Sequence, residues 1–407
     1  MEKFDLIVVG AGISGLSLAH YCAREGFTTL VIDKGREAGG AFCSHSFEGD
    51  AKDFWLEMGA HTCYNSYGNF IGIVEDLDIL DRIVKREKVS FKMLVDHKIK
   101  SIFSQLNFRE LLFSAPRVLT LKKEQQSVES YYSPIVGRRN FDKVFAPAFN
   151  AVVSQDARDF PAGMLFKKRA RRKDIIKKFT LTKGLQTVTE AICNSGEFEL
   201  VKGQEVLELN HDNGLFEVSL SDSRSFQSSF VALATPASVS ARLLQPHFPK
   251  IAGILSRIGV VSVESVGVAV RKASLSLGPV AGIIPRDDTF YSAVSRDTVS
   301  HERYRGFTFH FKPGLAGDEH KTERICRVLR VDRSEVEQVT TKENVLPSLR
   351  VGHERLIGEV DGLLEGKGLL LTGNYFIGLA IEDCVSRSLR EFGRLQRLAG
   401  RSGPAVL

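Results

Sequence analysis

The stretch DLIVVGAGISGLSLAHYCAREGFTTLVID, residues 5–33, decides the fold. Residues 6–9 are a short apolar run suited to a buried parallel strand, and Gly10-Ala11-Gly12-Ile13-Ser14-Gly15 turns the chain straight into a helix. Gly10 permits the tight turn, Gly12 lets the backbone come within contact of a pyrophosphate, and Gly15 lets the helix lie close on the strand. The helix start, at Ile13 and Ser14, offers unpaired N–H groups to the phosphates. Gly26 is placed to end the helix, residues 28–32 are β-branched and apolar, and Asp33 stands eighteen residues past Gly15, where a ribose-binding carboxylate is expected. A glycine pattern alone is weak. Strand, helix, second strand and acid in register define a dinucleotide site.

At 407 residues the chain is too long for one ordinary core and reads as two interleaved domains. Hydrophobic content of 43% with 26% charged residues describes a soluble globular protein, and the formal charge of +6 is mild and mostly local. Six cysteines without a C-x-x-C pattern indicate neither a disulfide framework nor a metal site, and suit a reducing cytoplasm. The first residues lack the basic flank of a signal peptide, and no apolar run is long enough to span a bilayer.

After Asp33 come Lys34, Gly35, Arg36 and Glu37, then Gly39-Gly40, Ala41 and Cys43. A Gly-Gly pair six residues past the ribose acid separates FAD enzymes from most NAD enzymes, and the sequence here resembles the flavoprotein superfamily of amine oxidases, phytoene desaturases and protoporphyrinogen oxidases. Those families usually place arginine or lysine around the pair to neutralise the pyrophosphate. This chain has Glu37, Ala41 and Cys43 there, leaving Arg36, one position off, as the substitute. In Trp55-Leu56-Glu57-Met58-Gly59-Ala60-His61, the Glu-x-Gly pattern is similar to the segment that runs beneath the isoalloxazine ring in these flavoproteins. His61 is a candidate catalytic residue, although a lone histidine is more often a hydrogen-bonded structural one.

Apolar spacing predicts a helix across residues 69–85, and residues 86–178 read as an inserted, largely helical region. That region ends in KKRARRK, residues 167–173, continuing to Lys177 and Lys178. A nucleic-acid patch would want interleaved aromatics or a known module, and neither is present. The bland reading is a solvated face; a membrane-surface patch or a steering field for an acidic, amphiphilic substrate would produce the same run.

Residues 179–188 resemble the superfamily's G-G-x-x-x-L element, with Lys183 in place of the first glycine. A helix at 187–193 and strands at 198–201, 205–210 and 215–220 follow, the last two joined by the hairpin signal Asn213-Gly214. Residues 230–236 then form a buried strand ending in Ala234-Thr235-Pro236. The resemblance places Val206 against the adenine and Thr235 in the FAD domain. Alternating apolar runs between residues 240 and 340 predict a sheet over which substrate lies.

The ending is the second strong signal. Pro347, Gly352-His353 and then Gly373-Asn374-Tyr375-Phe376-Ile377-Gly378-Leu379-Ala380-Ile381-Glu382-Asp383-Cys384 resemble the protoporphyrinogen oxidase ending. A helix opening near Ala380 and Ile381, aimed at the flavin N1 and C2 carbonyl, would stabilise charge on the reduced ring. Tyr375 is a second catalytic candidate.

The expectation is therefore an α/β chain, α+β overall. Residues 1–85, 179–240 and 341–407 form a Rossmann-like FAD domain, and residues 86–178 and 241–340 a discontinuous substrate domain made of a mixed sheet and a helical insertion. The resemblance implies an FAD-dependent oxidoreductase moving hydride from a C–H bond beside an electron-rich nitrogen or conjugated system to flavin N5, leaning to protoporphyrinogen oxidase-like activity. A flavin amine oxidase or carotenoid-type desaturase is the alternative, and an FAD-binding scaffold the alternative of another class. The expected partner is a small-molecule substrate, with peripheral membrane contact and no nucleic acid.

Overall fold

A computed structural model describes residues 2–314 and 317–401. The opening strand β1, Glu2–Val9, sits in the middle of the first sheet, with helix α1 at Ile13–Arg24 and strand β2 at Thr29–Asp33. β1 pairs in parallel with β2 on one side and with Ser225–Leu233 on the other, in a register that sets Val9 opposite both Ile32 and Leu233. Glu199–Lys202 extends the parallel set beyond β2, and Leu369–Leu371 pairs with the far half of Ser225–Leu233. Central strands of a parallel sheet are covered on both faces, which is why residues 6–9 run unbroken in Leu, Ile and Val and are at most 5% exposed. The antiparallel pair Val206–Asp212 and Leu215–Leu220 is joined by the turn at Asn213 and Gly214, whose φ values of 49° and 79° are those of a tight hairpin.

The second sheet is mixed and seven-stranded, built mainly from Gly259–Arg271, Gly282–Pro285, Phe290–Ser295, Tyr304–Phe311 and Val336–Ser348. It carries its own phenylalanine-rich core around Phe290, Phe307, Phe309 and Phe311.

Four expectations change. The helix expected across residues 69–85 ends at Asp76, and Ile83–Lys85 is instead a strand paired with Lys178–Leu181. Asp78, in the left-handed region at φ 52°, turns the chain out of the helix, and a sheet partner a hundred residues away takes over. The insertion begins with a hairpin, Phe91–Val95 and Lys98–Ser101, that adds two strands to the second sheet through Gly282–Pro285, before turning helical. The boundary at residue 341 falls inside the strand Val336–Ser348, which pairs along its length with Gly259–Arg271. Finally, Pro249–Leu255, expected with the substrate domain, buries Ile251, Ala252 and Leu255 in the same core as Leu209 and Phe216 of the first sheet.

Candidate active site

The two glycines that flank the first turn are required by the protein itself. Gly10 has φ +108°, and a Cβ on Gly15 would sit 1.9 Å from the Gly10 carbonyl oxygen, so α1 rests directly on the end of β1. Gly12 differs: a Cβ there meets nothing within 4 Å. The space before it is open, and the first three N–H groups of α1, at Ile13, Ser14 and Gly15, precede the first intrahelical bond, from Leu16 to the Gly12 carbonyl. Open space faced by free donors fits a diphosphate.

Asp33 accepts from the Ala11 N–H at 2.6 Å and from the Gly35 N–H at 2.7 Å, which fixes the carboxylate at the end of β2. The Gln204 and Gly203 N–H groups bond back to the Asp33 and Gly35 carbonyls, bringing the segment before Val206 alongside. Thr235 follows the strand beside β1 and bonds Ser240 at 2.8 Å. Lys34 and Arg36 are exposed on the loop after Asp33. Gly39, at φ +127°, bonds the Ala11 carbonyl, and a Cβ on Gly40 would stand 3.2 Å from the Gly12 Cα, so the two glycine turns touch. A cation does stand beside Gly39-Gly40: Lys342 of the second sheet donates to the Gly40 carbonyl.

The other end of the site is built by Gly59 and the start of the last helix. A Cβ on Gly59 would meet the Ala41 carbonyl oxygen at 2.3 Å, so this strand end lies tight against the loop after Gly40. Gly373 and Gly378 have φ of +148° and +144° and bend the chain into the helix Ile381–Leu398, with Ala380 at its cap. Asp383 ties this bend together. It accepts from the Ala380 N–H, from Lys167 at 3.0 Å and from Arg169 at 2.7 Å, while Lys167 also reaches the Ile377 carbonyl. A Cβ on Gly378 would fall 2.5 Å from Asp383 Oδ2, so any side chain there breaks this knot. The helix itself is held by Ser388, which donates to the Ser14 carbonyl at 2.7 Å, and by the fully buried Arg387, paired with Asp361 and Glu391 and bonded to the Leu371 carbonyl.

Between the two sheets lies a cavity of about 940 Å³. Ile13, Ala41, Gly59, Asn374, Ala380 and Ile381 line one side, and Val263, Val294, His310, Asn344 and Leu346 line the other. Lys167, Lys168, Arg169 and Arg171 of the basic run reach it too. Lys167 and Arg169 share the single carboxylate of Asp383, and Arg172 is spent on Glu75 and Asp174; Lys168 and Arg171 are exposed and have no ion-pair partner among the described residues.

His61 lines this cavity, and its Nε2 lies 2.8 Å from Nε2 of His310. Burial pushes the His310 imidazole down to about 4 and His61 well below its ordinary value, with the neighbouring His310 and Arg86 adding to the shift at His61. Both rings are neutral near pH 7. His310 was not visible as a site residue, although Thr308 and His310 alternate with Phe307, Phe309 and Phe311 and so share the opposite face of the strand. Tyr375 lies away from this cavity. It is 1% exposed in the core beneath the first sheet and takes a bond from His353 on its carbonyl. Glu57, of the Glu-x-Gly pattern, is a clamp: buried, it accepts from the Leu185 N–H and the Ser44 hydroxyl, both at 2.8 Å.

A parallel nucleotide-binding sheet joined to a mixed sheet across a shared cavity is the architecture of a two-domain flavoprotein. The profile of the family "Flavin containing amine oxidoreductase" matches residues 13–306, and the chain belongs to that family of FAD-dependent oxidoreductases. Among solved structures, a protein of Exiguobacterium sp. 255-15 provisionally named a protoporphyrinogen oxidase superposes with TM-score 0.76 at 16% identity, covering 97% of this chain and 99% of that one. A putrescine oxidase bound to putrescine has TM-score 0.71 at 13% identity, over 98% and 99% of the two chains. In sequence, UDP-galactopyranose mutase of Mycoplasma pneumoniae is 30% identical over 140 residues, and 15-cis-phytoene desaturase of Narcissus pseudonarcissus 31% identical over 111. These matches cover 30% and 27% of this chain and span 34% and 19% of those relatives' own length.

Proposed function

We propose that the protein oxidises a bulky, acidic, amphiphilic substrate at a C–H bond beside an electron-rich nitrogen or conjugated system, with activity like that of a protoporphyrinogen oxidase. The observation that carries this reading is the cavity, whose walls are hydrocarbon at Val263, Val294, Leu346, Leu165 and Phe166 and whose free charges, Lys168 and Arg171, are both positive. Bound FAD supplies the hydride acceptor, through flavin N5. The protein's part is to exclude water around the reacting carbon with that apolar wall and to orient carboxylates on Lys168 and Arg171.

The alternatives fit less well. Resemblance to the amine oxidases implies a lysine working through water beside the flavin. Among the described residues lining the cavity, the lysines are Lys167 and Lys168 on the basic run, while the sheet contributes Val263, Ser292, His310 and Asn344. A cationic amine would also meet two unpaired cations. A desaturase acting on an uncharged hydrocarbon has no use for them, and a scaffold has no use for open space opposite the flavin site.

The outer face of the insertion supports an amphiphilic substrate drawn from an anionic membrane surface. Phe103, Phe108, Leu112, Phe113, Val118 and Leu119 are exposed, Leu119 at 86%. Residues 98–123 carry Lys98, Lys100, Arg109, Arg117, Lys122 and Lys123 against Glu110 alone. Basic residues around exposed aromatic and aliphatic side chains suit an interfacial contact with anionic lipid. No helix among the described residues is long and apolar enough to cross a membrane.

The deciding experiment is anaerobic addition of candidate substrates to the FAD-loaded protein. Rapid bleaching of the flavin by a propionate-bearing porphyrinogen, with none by putrescine or phytoene, is the expected result. Bleaching by putrescine alone would return the amine oxidase reading.

A further inference from the structure

The cavity wall contains a chain of hydrogen bonds whose direction can be worked out atom by atom. Asn344 Nδ2 lies 2.9 Å from the Met58 carbonyl oxygen and 2.9 Å from Ser265 Oγ. A carbonyl oxygen only accepts, so the amide nitrogen faces Met58, and both of its hydrogens are then used. Ser265 Oγ accepts one of them; fully buried and with no other acceptor for its own proton among the described residues, it gives that proton to His310 Nδ1, 2.8 Å away. A neutral imidazole carries a single N–H, so that of His310 sits on Nε2. That hydrogen points at His61 Nε2 across 2.8 Å, and His61, accepting there, must hold its own proton on Nδ1.

Two observations keep this order in place. Ser265 is fully buried and His310 is 5% exposed, so water does not compete inside the chain. Both imidazoles are held below their ordinary values by burial, and Arg86, bonded to the His61 carbonyl at 2.6 Å, further opposes a second proton on His61. His61 Nδ1 has no protein partner among the described residues and is not one of the enclosed polar atoms, and His61 lines the cavity.

We infer that Asn344, Ser265 and His310 lock His61 as an Nδ1–H donor, making His61 a specificity-determining residue that takes an oxygen acceptor of the substrate, a carboxylate or carbonyl, and turns away an ammonium group. The inference rests on the reading of the cavity as the substrate site. His61 is then a substrate-contacting group, and Ser265, His310 and Asn344 are positioning residues.

The tautomers are directly measurable by nitrogen NMR of the holoprotein labelled with ¹⁵N-histidine, assigned through His61→Gln and His310→Gln. At neutral pH His61 should be the Nδ1–H tautomer and His310 the Nε2–H tautomer, and Ser265→Ala should release His61 to a mixture while FAD stays bound. An Nε2–H form of His61 in the wild type, or no change in Ser265→Ala, overturns the inference. Recognition is tested with benzoate and benzylamine titrated against the flavin spectrum. Benzoate should perturb it, with affinity falling about tenfold in His61→Phe, the loss of one hydrogen bond to a charged group, and benzylamine should not. Equal benzoate binding by His61→Phe, or no benzoate response in the wild type, overturns the recognition role. Correct tautomers in a holoprotein that no substrate bleaches would count against the proposed function and leave the relay standing.

Discussion

The glycine-turn end of the first sheet is made of backbone, and the cavity wall opposite is made of side chains. At Gly10, Gly12, Gly15, Asp33 and Gly39 the working groups are turns, free N–H groups and one carboxylate, all within 35 residues of sequence. At His61, Ser265, His310 and Asn344 they are side chains brought together from four segments over nearly 300 residues. Backbone chemistry leaves a compact signature because only particular residues permit the geometry. Side-chain chemistry on a sheet leaves single polar letters in apolar runs, and these mean nothing until the strands are registered.

The largest effect should separate two glycines three residues apart. The Cβ of Gly12→Val meets nothing within 4 Å in the protein, so the variant should purify folded, within about 0.5 kcal/mol of the wild-type apoprotein, but colourless. Gly15→Val would drive its Cβ into the Gly10 carbonyl and should not fold. Soluble yield, circular dichroism and bound-flavin content distinguish the two; yellow, folded Gly12→Val would remove the pyrophosphate from that position.

A smaller effect concerns Glu57, whose carboxyl burial raises from 4.5 to about 7. Between those values the folded chain keeps a proton that the unfolded chain has shed. Its favourable contribution is therefore complete below the unfolded value and lost as pH rises through about 7, a change on the order of 3 kcal/mol. The buried histidines run the other way: held neutral when folded, they lose stability as pH falls below their unfolded value. Urea unfolding between about pH 5 and about pH 8 should show a flatter decline toward high pH for Glu57→Gln than for the wild type. Identical slopes would mean Glu57 is ionised in the fold.

The smallest effect lies at the cavity mouth. Lys168→Gln with Arg171→Gln should raise KM for an acidic substrate several-fold at low salt, leave kcat near wild type, and converge with the wild type as salt screens the charges. An unchanged KM at low salt would make both residues ordinary surface.

Much of the fold was legible because its signals are local. Asn213-Gly214 specifies its hairpin through positive φ at both turn positions. The hairpin at Asp96 and His97 uses the same geometry, φ 50° and 60°, without a glycine, and so hid inside a region that reads as helical. Ile83–Lys85 fits helical spacing and became a strand because Lys178–Leu181 offered it a sheet partner. Lys342 could not be found by searching around Gly40, since it arrives on a strand three hundred residues later.

The glycine turn after the first strand, the bend before the last helix and the flavin family follow from the sequence by itself: the two bends because they are backbone conformations that few residues allow, the family because those residues carry its motifs. Which charges stay free, which histidine meets which, and which way the protons point belong to the tertiary structure alone. Hydrogen-bond direction is set by the last donor in a chain, here Asn344, and only packing two sheets across one cavity puts that donor within reach.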